Sequence, residues 1–269
     1  MTFPKLAEST LEVENRVGLL TLQRDDVRNA LTGTALAEDI VRAVDWADSL
    51  GAVAVLILTG EGAAFSSGGN VKDMKERRGI FAGAPFDLQE KYRRGIQQIA
   101  LAMNRMEIPT IAAINGPAIG AGCDLACMCD LRIASSRAVL GETFVNLGLI
   151  PGDGGSWFLQ RLVGYQRAAE LTFTGRLLSP EEACSLGLTL ETVEPENLLP
   201  RARALAEQIA RQPAPALRMS KRLLKASRRL DLPDFLDLCA ACQASAHHTP
   251  DHEEALKAFL HSGKSPPKG

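Results

Sequence analysis

The chain has 269 residues, 46% of them apolar and 23% charged, enough to bury a large core in one domain or in one domain with an appendage. Thirty basic side chains against thirty-two acidic ones leave a net charge of −2, which gives no reason to expect a nucleic-acid or membrane-surface partner. No stretch approaches the roughly 20 apolar residues of a membrane span, and the first residues lack a basic segment ahead of an apolar run, so the expectation is a cytoplasmic protein with no membrane partner.

Val17 to Leu22 is a short β-rich run, followed by a polar turn and by apolar residues at helical spacing from Leu31 to Leu50. Ala52 to Thr59 is a continuous apolar run ending at Gly60, the pattern of a strand covered on both faces. Residues 60 to 90 are glycine-rich and charged, a loop region with a short helical piece. Tyr92 to Met106 has helical spacing and stops before Pro109, and Thr110 to Asn115 is a second buried strand. A helix is expected from Leu125 to Met128, and a further strand from Asp130 to Ala134. This alternation predicts an α/β core over residues 1–197. From Leu198 the composition turns to Ala, Arg, Leu and Glu, with breaks at Pro213, Pro233 and Pro250, so residues 198–269 read as a helical C-terminal region. No internal repeat is visible.

Several chemistries are excluded. All four histidines fall late, at His247, His248, His252 and His261, so the core holds none to activate a Ser or Cys nucleophile or to bind a metal. That removes a serine-peptidase reading of Ser66, Ser67 or Ser156. His248 and His252 flank Pro250 and read as a polar surface cluster. Cys123, Cys127 and Cys129 share one apolar segment and read as small buried hydrophobes; their spacing does not match a metal site, and no metal is expected. Gly263-Lys264-Ser265 lacks the preceding strand and glycine of a phosphate-binding loop, and Gly116, Gly120 and Gly122 do not form a dinucleotide fingerprint.

What remains is a pair of glycine-rich corners, each following a buried strand and leading into helical sequence: Phe65 to Lys72, and Asn115 to Asp124. Small residues let a ligand approach the backbone, and a helix N-terminus presents unpaired N–H groups. Two such donors aimed at one oxygen form an oxyanion hole. Either corner alone reads more readily as a tight turn; it is their joint presence that points to a site.

With these corners, the stretches Arg24–Leu31, Ile111–Asp130, Gly148–Gly155, Leu171–Gly175 and Ala183–Leu188 give the chain a resemblance to the crotonase (enoyl-CoA hydratase/isomerase) family over about residues 12 to 262. The resemblance implies a spiral of repeated ββα units, a C-terminal trimerisation region, and homotrimers or dimers of trimers. It implies an acyl-CoA thioester as substrate, with coenzyme A entering as part of that substrate and no separate cofactor. Position by position it places the thioester oxygen on the N–H groups of Gly69 and Ala121. Ser67, Gly68, Asn70 and Val71 would line the pantetheine; Val27, Arg28 and Ala30 would line the adenine. Asn70 stands where the family usually has Asp. Lys72, with Lys75, Arg77 and Arg78, either faces the CoA phosphates or forms a solvated helix face. Val71, Met74, Phe81 and Phe86 are expected to shape the acyl pocket.

The family's hydratases carry glutamates at the positions of Asp124 and Phe144. Phe144 can neither donate nor accept a proton and is left as a substrate contact, so the paired-glutamate mechanism does not transfer. Glu142 would share a face with Phe144 if that segment is extended. Asp153 aligns with an acid of the dienoyl-CoA isomerase branch, or else caps the helix starting near Gly155. Asp124, Glu142 and Asp153 are therefore the candidate catalytic acids, although Asp124 also fits a backbone contact within its own turn. The expected function is hydration of a 2-enoyl-CoA or double-bond isomerisation through a stabilised enolate. The alternatives are a different reaction on the same scaffold (decarboxylation, hydrolysis, carbon–carbon cleavage) or binding without catalysis.

Overall fold

The computed structural model describes residues 2–49 and 51–261. Leu50, where the first expected helix ends, and the Gly263-Lys264-Ser265 motif lie outside the described residues, as does the end of the expected C-terminal region. Among the described residues eight strands form in chain order: β1 (Ser9–Glu14), β2 (Val17–Leu22), β3 (Val55–Gly60), β4 (Thr110–Ile114), β5 (Ala118–Ile119), β6 (Leu131–Ser135), β7 (Leu140–Gly141) and β8 (Glu191–Val193). The main sheet runs β1-β2-β3-β4-β6-β8, parallel except for the β1–β2 hairpin. β1 went unpredicted, since Glu12 and Glu14 dilute its apolar signal. It forms because Ser9, Leu11 and Val13 alternate, and because Asn15 and Arg16 both take positive φ, 50° and 66°, in a tight hairpin turn.

The parallel strands are covered on both faces, as continuous apolar runs require. Leu20, Leu22, Leu56, Leu58, Ala112 and Ile114 point into the larger core. It contains helices α1 (Leu36–Ser49), α2 (Val71–Glu76), α3 (Pro85–Arg94), α4 (Gln97–Arg105) and α5 (Ala121–Met128) only in part, since α2 and α3 contribute no buried residue. Val17, Leu19, Val55, Ile57, Ile111, Ala113 and Ile133 point the other way. After α6 (Gly155–Val163), α7 (Tyr165–Thr174) and α8 (Pro180–Ser185), the long α9 (Pro195–Ala210) closes this second face. It does so with Leu198, Ala202, Ala206 and Ala210, whose four-residue spacing and small side chains let the helix approach closely. Helices α10 (Ala214–Ala226), α11 (Leu232–His247) and α12 (Pro250–His261) complete the chain. Among the described residues no helix is long and apolar enough to cross a membrane.

Three expected helices differ in extent, α5 by beginning at Ala121 rather than at Leu125. The first starts at Leu36, because the backbone of Leu31 is spent on a hydrogen bond from its N–H to the carbonyl of Gly68. The expected helix from Tyr92 to Met106 is two helices, broken at Gly95 (φ −106°, ψ −113°). Cys123, Cys127 and Cys129 are buried, as expected. His247 rather than His248 approaches His252, with Nδ1 and Nε2 3.2 Å apart, while His248 contacts its own helix through the Ala244 carbonyl.

A second, small sheet positions the site. β5 pairs in parallel with β7, and Ser66 makes a parallel bridge to Ala118. Each of three successive main-sheet strands is thus followed by a short extended piece in this second layer: β3 by Ser66, β4 by β5, and β6 by β7. This is the expected spiral of strand–strand–helix turns, present in space although the sequence shows no repeat.

Candidate active site

The two glycine corners meet through the small sheet. Gly69 and Ala121 each lie three residues beyond the bridged pair Ser66 and Ala118, so one register fixes both. Their backbones touch. A Cβ on Gly68, whose φ is +75°, would stand 2.4 Å from the Ile119 carbonyl oxygen and 2.8 Å from the Ala121 nitrogen. A Cβ on Gly122 would stand 2.1 Å from the Ser66 carbonyl oxygen. Only glycine permits this approach. Ala121 opens α5, and its N–H is one of the unpaired donors of a helix start. Among the described residues neither the Gly69 nor the Ala121 N–H has an acceptor, and both residues line one cavity of about 500 Å³.

The loop carrying Val27, Arg28 and Ala30 is strapped to the first corner. Ser67 donates from its N–H to the Arg28 carbonyl (2.8 Å) and from its hydroxyl to the Val27 carbonyl (3.2 Å). Asn29, buried at φ +53°, accepts from Arg24 N–H and donates to the Glu61 and Ala64 carbonyls. Ser66 donates to the Asn29 carbonyl (2.7 Å) and accepts from Gly68 N–H (3.1 Å), which ties loop and corner together. Asn70 caps α2, accepting from the N–H groups of Lys72 and Asp73, so its side-chain oxygen does the capping that an Asp there would do. Val71 and Lys72 are exposed on α2, and Arg78 pairs with Glu76 at 2.9 Å. Of the expected acyl-pocket residues, Met74 and Phe81 line the cavity, whereas Val71 and Phe86 face solvent, 55% and 70% exposed.

Asp124, Glu142 and Asp153 come together; Asp153 lines the cavity, while Asp124 and Glu142 meet at the start of α6 against Gly155. All three are buried, and both oxygens of Asp124, both of Glu142 and Oδ1 of Asp153 lack a hydrogen-bond donor. Burial pushes the pKa of each above the usual carboxylate range. Asp124 is raised well above it, first by burial and then by the neighbouring carboxyls of Asp153 and Glu142. Among the described residues no cation pairs with this cluster, and the neighbouring acids titrate as a unit.

The routes to these positions differ from the expected ones. Glu142 does not reach the site on an extended strand: β7 ends at Gly141, and Glu142 (φ −85°, ψ 68°) leads into the 3-10 turn Thr143–Leu147. Asp153 makes no side-chain bond to the start of α6, and Asp124 none to its own turn, so neither acid serves as a cap. Phe144 lines the cavity beside Ala121, its ring rim 3.7 Å from where a Gly120 Cβ would stand.

Some contributors escaped the sequence. Gly155 at the start of α6 makes room for the acids: a Cβ there would lie 2.1 Å from Asp124 Oδ1 and 2.5 Å from Glu142 Oε1. Thr32 accepts from Asn70 N–H at 2.8 Å beside Gly69, and no local pattern announces it. Tyr92, Arg93, Ile96 and Gln97 also line the cavity, with Gln97 donating to the Gly152 carbonyl at 2.7 Å. Their helical spacing with Gln89 was legible, but the expected helix began too late to include the whole stripe.

The sequence profile of one family, described as enoyl-CoA hydratase/isomerase, matches residues 12–268. A short-chain-enoyl-CoA hydratase of Clostridium acetobutylicum is 35% identical, the match covering 94% of this chain and 95% of that protein. A crotonyl-CoA hydratase of Syntrophomonas wolfei is also 35% identical, over 95% of each. Among solved structures, an enoyl-CoA hydratase from Bacillus anthracis superposes with a TM-score of 0.88 at 31% identity, over 95% of this chain and 97% of that one.

Proposed function

The chain belongs to the enoyl-CoA hydratase/isomerase family, and on that premise we propose that it holds an enoyl-CoA thioester oxygen between the N–H groups of Gly69 and Ala121 while Asp124, Glu142 and Asp153 move protons on the acyl chain. The observation that carries this reading is the pair of acceptor-free N–H groups on a cavity that Asp153 also lines, with the buried, donor-free carboxyls of Asp124 and Glu142 meeting at Gly155 beside Asp153. Charge developing on the thioester oxygen as an enolate forms would meet fixed dipoles; losing one such donor costs about 10²–10³-fold in rate. A carboxyl whose pKa is lifted toward neutrality serves as base when ionised and as acid when protonated.

For hydration, an ionised carboxylate takes a proton from water as its oxygen bonds to the β-carbon. A protonated carboxyl, Asp124 by its raised pKa, then gives the α-carbon its hydrogen. Glu142 supplies the carboxylate that Phe144 cannot. Phe144 also favours a second reading, double-bond migration, in which a carboxylate removes a proton from one carbon of the acyl chain and a carboxyl returns one to another without water. Incubating purified protein with crotonyl-CoA and with a 3-enoyl-CoA, while following absorbance of the conjugated thioester, tests both. Consumption of conjugated substrate supports hydration and its appearance supports migration; neither change, with intact binding, would leave a different reaction on the same scaffold or a binder.

Ser67, Gly68, Asn70 and Val71 are proposed to follow the pantetheine, Val27, Arg28 and Ala30 the adenine, and Lys72 the phosphates. No further cofactor is needed. Homotrimers or dimers of trimers are proposed through residues 198–269, supported by Leu224, Leu232, Leu236 and Leu260 standing 54–71% exposed on the last three helices. Free thiols on all six cysteines support a reducing, cytoplasmic setting.

A further inference from the structure

The lining of the acyl cavity is mixed in character. Met74, Phe81, Ile96, Leu149 and Ile150 suit a hydrocarbon tail. Between them the break-spanning helices α3 and α4 turn Gln89, Tyr92, Arg93 and Gln97 to the same cavity, at the spacing of one helical face. Gln97 is occupied by the Gly152 carbonyl, and Arg93 reaches Glu90 at 3.3 Å on an exposed surface. Gln89 and Arg93 are exposed and keep their water at no cost. Tyr92 differs. It is half-buried, its ring lies 3.5 Å from where a Gly152 Cβ would stand, and among the described residues its hydroxyl has no protein partner and is open to water.

A plain alkyl chain filling the cavity would strip water from that hydroxyl and return nothing, and an unsatisfied buried donor is costly. We propose that Tyr92 selects acyl groups bearing an oxygen acceptor on the tail, with Gln89 and Arg93 assisting at the solvent end. The chemical class is an oxygenated acyl-CoA: a hydroxyl, keto or carboxylate group would each offer the acceptor. Burial and the neighbouring Asp153 both push the phenol's pKa up, so Tyr92 acts as a donor. This inference rests on the acyl-CoA reading above.

The test uses unreactive saturated thioesters, so that binding is read without turnover. Titration calorimetry would compare hexanoyl-CoA with its terminally hydroxylated, keto and carboxylate counterparts, on wild type and on Tyr92→Phe, which keeps the ring. We expect at least one oxygenated thioester to bind about ten-fold tighter than hexanoyl-CoA in wild type. That ratio should fall to near one in Tyr92→Phe, and the best of the three names the substituent. Hexanoyl-CoA binding as tightly as all its counterparts, or a preference that survives Tyr92→Phe, overturns the inference while leaving the acyl-CoA reading intact. Binding of none of the thioesters overturns both.

Discussion

Placing a methyl group at position 155 is a direct test of how tightly the acids are held. In Gly155→Ala the new Cβ would lie 2.1 Å from Asp124 Oδ1 and 2.5 Å from Glu142 Oε1, where ordinary contact begins near 3.4 Å. Either α6 withdraws or the carboxyls do, by more than 1 Å for Asp124. Overpacking of this kind costs about 1–3 kcal/mol, and each kcal/mol lowers Tm by roughly 2–4 °C in a chain of this order of size. A shift of about 1 Å in reacting groups costs about 10²-fold in rate, so kcat/KM for the enoyl-CoA substrate should fall further than stability alone explains. Asp124→Ala removes the nearest obstacle; in that background Gly155→Ala should cost markedly less stability, a coupling read from thermal melts of the double-mutant cycle. Wild-type Tm and kcat/KM in Gly155→Ala, or equal costs in both backgrounds, would refute the packing of acids against the helix start.

Two other outcomes follow from the same geometry. The acids' raised folded-state pKa values mean that their burial is harmless below about pH 4, where the unfolded carboxyls are also protonated, and that stability is lost as pH rises toward the folded values, at about 1.4 kcal/mol per pH unit for each proton. Asp124→Asn should therefore flatten the fall in stability between acid and alkaline pH while reducing turnover; parallel pH–stability curves for mutant and wild type would contradict the jointly titrating cluster. Asn29→Ala removes an acceptor at 2.8 Å and donors at 3.0 and 2.9 Å from a buried site, so chemical denaturation should show a loss on the order of 3 kcal/mol. A loss below about 1 kcal/mol would show that the strap around Ser66 is carried elsewhere.

The buried strands were legible because both faces of β3 and β4 are covered, and apolar runs ending in glycine admit few other readings. β1 was not, because as an edge strand it needs only one apolar face and shows two glutamates to solvent. The glycine corners were legible as a pair, yet their contact depends on the Ser66–Ala118 bridge, a long-range pairing that no local spacing encodes. Asp124 and Asp153 were found by position. Glu142 was found through an extended geometry that the chain does not adopt; a turn carries it to the same place. Gly155 was invisible as a contributor, since its role is the volume it leaves to groups distant in sequence.

The three-residue offset from the bridged pair to each N–H donor makes the small sheet a ruler for the site. Donor spacing is set by strand pairing, so the long excursion from α2 through α4, which shapes the acyl cavity, is free to change in length without moving the oxyanion position. Engineering can exploit this separation: grafting or trimming residues 77–84 should retarget the acyl group while the thioester stays in place.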